Sequence, residues 1–129
     1  MLKTGILNPA INSLVSRIRH TNTLVIADRG FPFWPQIETI DISLVDDIPR
    51  VLDVLGALSK NFMIGKAFMA EEFQRHNPAG TQAAFAAALA GVPVSYEPHV
   101  EFKRRVPQAI GLIRTADTTP YGNLILESA

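Results

Sequence analysis

The run Thr23 to Ala27 (TLVIA) constrains the fold of this chain more than any other segment. It is continuous, apolar and β-branched, a pattern typical of a strand that is buried on both faces of a parallel sheet. Asp28 follows it directly, at the edge where open α/β sheets bind their ligands. A turn or N-cap aspartate would occupy the same place. Asp28 is therefore a candidate binding residue with a structural alternative.

Strand and helix patterns alternate along the rest of the chain. Asn8-Pro9 predicts the start of a helix, which is expected to close at His20. Asp46 and Asp47 predict a second helix start, where the helix dipole favours carboxylates. Further strands are predicted at residues 37–42, 62–69, 92–96, 109–114 and 123–126, and further helices at residues 81–90 and 100–106. This alternation predicts one α/β domain over residues 1–129, with a mainly parallel sheet flanked by helices in a Rossmann-like three-layer arrangement.

Composition and missing motifs narrow the functional classes. The 129 residues carry 12 basic and 12 acidic side chains, so there is none of the positive excess that nucleic-acid binders use against phosphates. The chain has no cysteine, which excludes thiolate nucleophiles and zinc–cysteine sites. Dinucleotide, phosphate-loop and serine-nucleophile motifs are also missing. Because no signal peptide or membrane-spanning run is recognisable, we expect a cytoplasmic protein without membrane or nucleic-acid partners.

Three histidines are candidates for acid–base work, because histidine titrates near neutral pH. His20 precedes the first strand, and its position alone favours a cation stabilised by a helix dipole over a catalytic role. Since His20 and Asp28 flank the same strand, they could meet only across a bend or from a neighbouring subunit. His99 follows a predicted strand, with an exposed loop position as the alternative. His76 lies in a polar stretch and is expected on a solvated surface.

Tyr121, Gly122 and Asn123 form a further group of candidates. A phenol and a carboxamide both donate and accept hydrogen bonds, and a glycine lets a ligand approach the backbone. This combination suits hydroxyl-rich ligands. An ordinary turn with a capping asparagine is the alternative.

The loop at residues 29–36 carries the aromatic residues Phe31, Phe33 and Trp34. They could stack on a sugar ring, but packing against a second subunit is the simpler interpretation, since a monomer would have to expose them. The net charge is zero and 47% of the residues are hydrophobic, which favours self-association. Together these features predict an obligate homo-oligomer.

Three segments resemble the D-ribose pyranase and L-fucose mutarotase family. They are KTGILNPAINSLVSRIRHTNTLVIADRGFP at residues 3–32, VSYEPHVEFK at residues 94–103 and IRTADTTPYGNLIL at residues 113–126. The resemblance covers nearly the whole chain and is weaker over residues 43–92. It implies a cofactor-free isomerase, without a metal, that opens and recloses the hemiacetal ring of a free monosaccharide. It also implies ring-shaped homo-oligomers, commonly decamers, with active sites between adjacent subunits.

The resemblance further implies roles for individual residues. His20 matches the family's proton-donating histidine, and Asp28 matches its substrate-binding aspartate. The positions that match sugar-contacting residues are His99, Tyr121, Gly122 and Asn123. For His99, both a binding role and a catalytic role stay open.

Some residues depart from the family pattern. Arg19 and Arg29 stand where small residues are usual, and Ala116-Asp117 stands where Gly-Glu is usual. The two arginines leave open whether the sugar is ribose, fucose or a phosphorylated or acidic sugar. The alternative function is a non-catalytic monosaccharide-binding accessory of a sugar uptake system. Both functions predict sugar binding, but only the enzyme speeds the exchange between ring forms.

Overall fold

The computed structural model describes residues 1–129 and places the predicted first strand near the centre of a six-stranded sheet. Strand β1 (Thr23–Ala27) has the bounds that the sequence predicts, and its last four residues are buried. The other strands are β2 (Glu38–Asp41), β3 (Ile64–Ala70), β4 (Val94–Glu97), β5 (Gly111–Arg114) and β6 (Leu124–Ser128). Their order across the sheet is β2-β5-β1-β6-β3-β4.

The strand directions bring several strand ends to one edge of the sheet. β1 and β2 each pair in parallel with β5, and β3 pairs in parallel with β4. Both β1 and β3 are antiparallel to β6, which lies between them. Five strands therefore share one direction and β6 runs against them, so the sheet is mixed but mostly parallel. We call the edge with the carboxyl ends of β1 to β5 and the start of β6 the carboxyl edge, and the opposite one the amino edge.

Helices cover both faces of the sheet, which confirms the layered α/β arrangement. They are α1 (Pro9–Ser16), α2 (Val51–Leu58), α3 (Glu71–His76), α4 (Ala79–Leu89) and α5 (His99–Arg105), and a 3-10 turn follows at Val106–Gln108. Leu24 and Ile26 pack in one core with side chains of α1, α2 and α4, whereas Val25 and Ala27 pack in a second core with Phe102 of α5. Two cores arise because successive side chains of a strand point to opposite faces. The longest helix, α4, has 11 residues, and no helix is long and apolar enough to cross a membrane.

The first helix ends earlier than the sequence predicts. Asn8 caps α1 as expected, but the helix stops before His20, which lies in a turn that leads into β1. The Asn22 side chain accepts the backbone N–H of Arg19 at 2.9 Å, and Thr21 has a left-handed φ of 66°. Because this local side-chain bond replaces helical hydrogen bonds, the prediction that His20 closes the helix is wrong.

The second helix begins later than its acidic residues suggest. Asp47 has a φ of 66°, which is outside the helical region, so Asp46 and Asp47 lie in a turn. The helix begins at Val51, whose N–H donates to Asp117 Oδ2 at 2.9 Å. The predicted placement of Asp46 and Asp47 at the helix start is therefore wrong, because a carboxylate that is distant in sequence takes that place.

Candidate functional site

Asp28 and Asn123 form a reciprocal pair at the carboxyl edge. The backbone N–H of Asp28 donates to Asn123 Oδ1 at 2.7 Å, and Asn123 Nδ2 donates to Asp28 Oδ2 at 3.0 Å. Asn123 is only 2% exposed, so these bonds satisfy an amide whose burial would otherwise be costly. Asp28 Oδ1 accepts the Gly30 N–H at 2.9 Å, which is the expected turn contact. Both side chains are thus held in place by the fold itself.

The environment of Asp28 favours its neutral form more than water does. Partial burial raises the pKa of Asp28 above its ordinary value, although hydrogen bonds from Asn123 and from the N–H groups of Gly30 and Phe31 act to lower it. The negative charge of Asp117 adds to the increase. A half-buried carboxyl group with unused lone pairs is able to accept hydrogen bonds from ligand hydroxyls.

His99 lies in an aromatic cluster rather than in an exposed loop. Its ring stacks on Phe102 at a centroid distance of 5.9 Å and meets Phe31 and Tyr121 edge-on at 6.1 Å and 5.1 Å. The Nδ1 atom of His99 is buried and has no hydrogen-bond partner in the chain. The imidazole therefore retains hydrogen-bonding capacity for a ligand.

The charge state of His99 is set by burial and by nearby charges. Burial lowers the pKa of His99, and the positive charge of Lys103 lowers it further. The carboxylates of Glu72 and Asp28 act in the opposite direction. Because the pKa lies below its ordinary value, His99 is neutral at neutral pH and offers one donor and one acceptor nitrogen.

Gly122 permits the tight turn that delivers Tyr121 and Asn123 to the carboxyl edge. The Gly122 N–H donates to the Thr119 carbonyl at 3.1 Å, and a Cβ at Gly122 would lie 3.1 Å from Thr119 Cβ. Tyr121 has a φ of 54°. His76 is exposed, as predicted. Its ring also lies 5.3 Å from the ring of Tyr121, so His76 contacts a candidate site residue.

His20 lies at the amino edge, away from the other candidates. It is exposed and precedes β1, whereas Asp28 follows β1. A strand of five residues spans roughly 17 Å, so the two side chains do not meet within one chain. The sequence predicts this separation correctly, although it places His20 on the wrong element.

The two unusual arginines have partners within the chain. Arg29 forms an ion pair with Asp46. The guanidinium of Arg19 donates to the carbonyls of Ser16 and Ile18 at 2.7 Å and 3.0 Å. Arg29 is therefore paired with a carboxylate, although an exposed ion pair of this kind is weak, whereas the Arg19 side chain bonds only to backbone carbonyls beside its own turn.

The aromatic loop is only partly exposed, contrary to the prediction for Phe31. Phe31 is 5% exposed and packs in the second core against Phe102, because the loop folds back over α5. Trp34 is half-buried and its indole Nε1 lacks a partner. Phe33 is 70% exposed, so it alone fits the expectation of a large aromatic side chain on the surface of a single chain.

Sequence reasoning missed three residues that hold the site together. Arg114, at the end of β5, donates to the backbone carbonyls of Asp28, Arg29 and Pro32, each at 3.3 Å. The buried carboxylate of Asp117 accepts the Thr119 N–H at 2.7 Å. Glu72 accepts the backbone N–H of His99. Arg114 ends a strand, and Glu72 and Asp117 lie two and three residues after one, so a rule that reaches beyond the residue directly after each strand would have selected all three.

A polar cleft of about 190 Å³ adjoins the Asp28 loop. Its lining consists of Asp28, Arg29, Gly30, Asp117, Thr118, Thr119 and Pro120. The chain contains no group of three or more His, Asp or Glu side chains arranged to hold a metal ion. The carboxyl edge thus combines hydrogen-bonding groups with aromatic surface, an arrangement suited to a small polyhydroxyl ligand.

The whole chain, residues 1–129, matches the model of a family described as the RbsD / FucU transport protein family. The curated D-ribose pyranase of Geobacillus kaustophilus (strain HTA426) is 42% identical over 128 residues, which cover 99% of this chain and 93% of the relative. The D-ribose pyranase of Laribacter hongkongensis (strain HLHK9) is 38% identical, with coverages of 99% and 97%. The likeness therefore includes the middle segment, where the motifs are weaker.

Solved structures show the same fold. The Bacillus subtilis RbsD complexed with D-ribose superposes with a TM-score of 0.93 at 31% identity and covers 100% of this chain and 98% of its own. The fucose mutarotase of Streptococcus pneumoniae in complex with L-fucose gives a TM-score of 0.84 at 16% identity, with coverages of 99% and 98%. At that identity the fucose mutarotase shows a shared fold and nothing more.

Proposed function

Because the chain belongs to the RbsD / FucU transport protein family, we propose that it interconverts the ring forms of free D-ribose. The observation that carries this choice is the full-length likeness to curated D-ribose pyranases at 42% and 38% identity. These relatives are isomerases, and the chain is an enzyme of the same class. Ribose is favoured over fucose because the structure solved with fucose is only 16% identical.

The proposed reaction needs two proton movements and no oxidant or reductant. The bond between the anomeric carbon and the ring oxygen breaks while the anomeric hydroxyl loses a proton and the ring oxygen gains one. The intermediate is the open-chain aldehyde. Attack of a sugar hydroxyl on either face of the aldehyde, with the protons returned, closes a ring of different size or opposite anomeric configuration. General acid–base catalysis suits such a step and contributes on the order of 10²–10⁴-fold.

We assign sugar binding to the carboxyl edge. Asp28 and Asn123 would hold sugar hydroxyls, since their side chains are fixed by mutual hydrogen bonds and lie beside a polar cleft. The neutral imidazole of His99 and the phenol of Tyr121 would form further hydrogen bonds to the sugar. Gly122 has no side chain and would let the sugar approach the backbone of the turn. Oriented groups of this kind lower the entropic cost of reaction by holding one sugar conformer.

We assign the proton transfer to His20 of a neighbouring subunit. Support comes from its match to the family's proton-donating histidine, its exposure and its position at the amino edge of its own chain. A homo-oligomer, ring-shaped and decameric in line with the family, would bring the amino edge of one subunit to the carboxyl edge of the next. This arrangement completes a site that one chain leaves divided.

The charge distribution favours a neutral sugar over a phosphorylated or acidic one. Arg29 is paired with Asp46, and Arg19 donates to backbone carbonyls. The carboxylates of Asp28 and Asp117 would repel an anionic substituent at the cleft that they line.

Exchange NMR tests the proposed activity. Saturation transfer between the ring forms of ribose, with and without protein, should show faster exchange for ribose and a smaller effect on fucose. Binding of ribose without faster exchange would instead identify a non-catalytic accessory protein. Faster exchange of fucose alone would contradict the choice of ribose.

A further inference from the structure

Glu72 is a charged residue at the carboxyl edge to which the proposed sugar binding and proton transfer give no role. It lies in the first turn of α3, directly after β3. Both of its carboxylate oxygens lie 3.0 Å from the backbone nitrogen of His99, so they share that N–H. The contact is tertiary and joins the ends of two neighbouring strands, β3 and β4.

The start of α5 depends on this contact. The first N–H groups of a helix have no partner within the helix. Pro98 precedes α5 and has no side-chain acceptor, so it makes no capping hydrogen bond. Glu72 supplies the acceptor instead, and a charged acceptor makes a stronger hydrogen bond than a neutral one. The carboxylate therefore fixes the backbone of the residue whose ring contacts Tyr121.

Glu72 also acts on the charge of the imidazole. The titratable groups that face the His99 ring are Lys103 on its own helix, Glu72 on α3, Asp28 after β1, and Tyr121 with His76 behind it. Partial burial acts to raise the pKa of Glu72, but the His99 N–H and the positive charge of Arg75 outweigh it, so Glu72 is ionised at neutral pH. Its negative charge stabilises protonated His99.

We propose that Glu72 is a positioning residue of the sugar site, whose carboxylate anchors the start of α5 and thereby sets the place and the charge of the His99 imidazole. The proposal rests on the proposed function, since the position of His99 affects catalysis only when that residue contacts the sugar. No contact between Glu72 and the sugar is required.

Two substitutions separate the anchoring role from the effect of charge. Glu72→Gln keeps an acceptor for the His99 N–H but removes the charge, whereas Glu72→Ala removes both. Glu71→Gln is the matched control, because Glu71 is adjacent, pairs with the same Arg75 at 3.3 Å and does not bond to His99. The imidazole of His99 is titrated by NMR without sugar, and ribose affinity is measured as a function of pH.

The expected pattern differs for each variant. Glu72→Gln should lower the pKa of His99, so that the loss of ribose affinity on acidification occurs at a lower pH than in the wild type. At pH 7 its affinity for ribose should stay within about threefold of the wild type. Glu72→Ala should lower the same pKa and weaken ribose binding on the order of tenfold at pH 7. Glu71→Gln should leave the titration of His99 and the affinity for ribose unchanged.

An unchanged titration of His99 in Glu72→Gln would overturn the proposal, and this readout holds even where Glu72→Ala does not fold. Equal ribose affinity in Glu72→Ala and Glu71→Gln would overturn it as well. A third outcome is that the wild type does not bind ribose, while Glu72→Gln still shifts the titration of His99. It would support the anchoring of His99 by Glu72 and reject ribose as the ligand.

Discussion

The two edges of the sheet differ in how firmly they hold their candidate residues. At the carboxyl edge, Asp28 and Asn123 bond to each other, and His99 is held by Glu72 and aromatic rings. At the amino edge, His20 lies exposed in a turn. The binding half of the proposed site is therefore preorganised within one chain. The acid–base half would become ordered only against a second chain.

This difference separates two kinds of substitution. Changes at the carboxyl edge disturb groups that also support the fold, so they should affect both binding and stability. Changes at His20 should affect catalysis alone, since an exposed side chain contributes little to the free energy of unfolding.

The largest effect is expected for His20→Ala. The variant should lose about 10²–10⁴-fold of the enhanced ring exchange, because no other side chain would donate or accept the proton. Its melting temperature and its sedimentation should match those of the wild type. Exchange NMR gives the rate, and full activity in this variant would remove His20 from the mechanism.

A smaller effect on binding, combined with a loss of stability, is expected for Asn123→Ala. The substitution leaves the buried N–H of Asp28 without an acceptor, which costs about 1–3 kcal/mol. Ribose affinity should fall by a similar free energy, and Asp28→Asn should also weaken binding. Urea denaturation and titration calorimetry measure the two quantities. Unchanged affinity in both variants would contradict the assignment of sugar binding to this pair.

A loss of about 1 kcal/mol is expected for Gly122→Ala, because the new Cβ would press on Thr119 and loosen the turn that carries Asn123. Gly56→Ala is the matched control. Gly56 lies within α2 with open space around its Cβ position, so alanine there should stabilise the protein by roughly 0.5–1 kcal/mol. A free energy of unfolding for Gly122→Ala that is not below that of the wild type would show that the turn tolerates a side chain.

The smallest effect is a dependence of stability on pH that comes from His99. Its pKa in the folded protein lies below the unfolded value of about 6.5. Its contribution to stability is therefore present above that value and is lost as the pH falls through the lower folded pKa. Urea denaturation at a series of pH values measures the free energy of unfolding on the acid side, which we call the acid limb. His99→Gln should remove the part of the acid limb that comes from His99, whereas His76→Gln should retain it. Parallel acid limbs in the wild type and His99→Gln would argue against a buried, neutral imidazole.

The sequence predicts the elements, and the sheet edge on which Asp28 lies, better than it predicts the partners of each residue. The apolar run of β1 and the residue after it are visible locally, so Asp28 and the alternation of strands and helices follow from pattern. The direction of β6 and its place between β1 and β3 depend on pairing across the whole chain. The bonds from Asn123 to Asp28 and from His99 to Glu72 join residues distant in sequence, and no local periodicity encodes them.

Errors at the helix ends have a similar cause. The sequence places a helix end at His20 and a helix start at Asp46, because histidine and aspartate often occupy such positions. In the structure, Asn22 ends the helical pattern before His20, and Asp117 provides the acceptor at the start of α2. Competing side chains decide each boundary, and one of them comes from the far end of the chain.

Complementation between two impaired variants tests the central claim most directly. His20→Ala keeps an intact carboxyl edge, and Asp28→Asn keeps an intact His20. If the site combines the two edges of different subunits, then oligomers assembled from an equal mixture of both chains should recover about a quarter of wild-type exchange at low ribose, since random pairing restores that share of sites. Exchange in the mixed oligomers no faster than in the two parent variants would contradict a site shared between subunits.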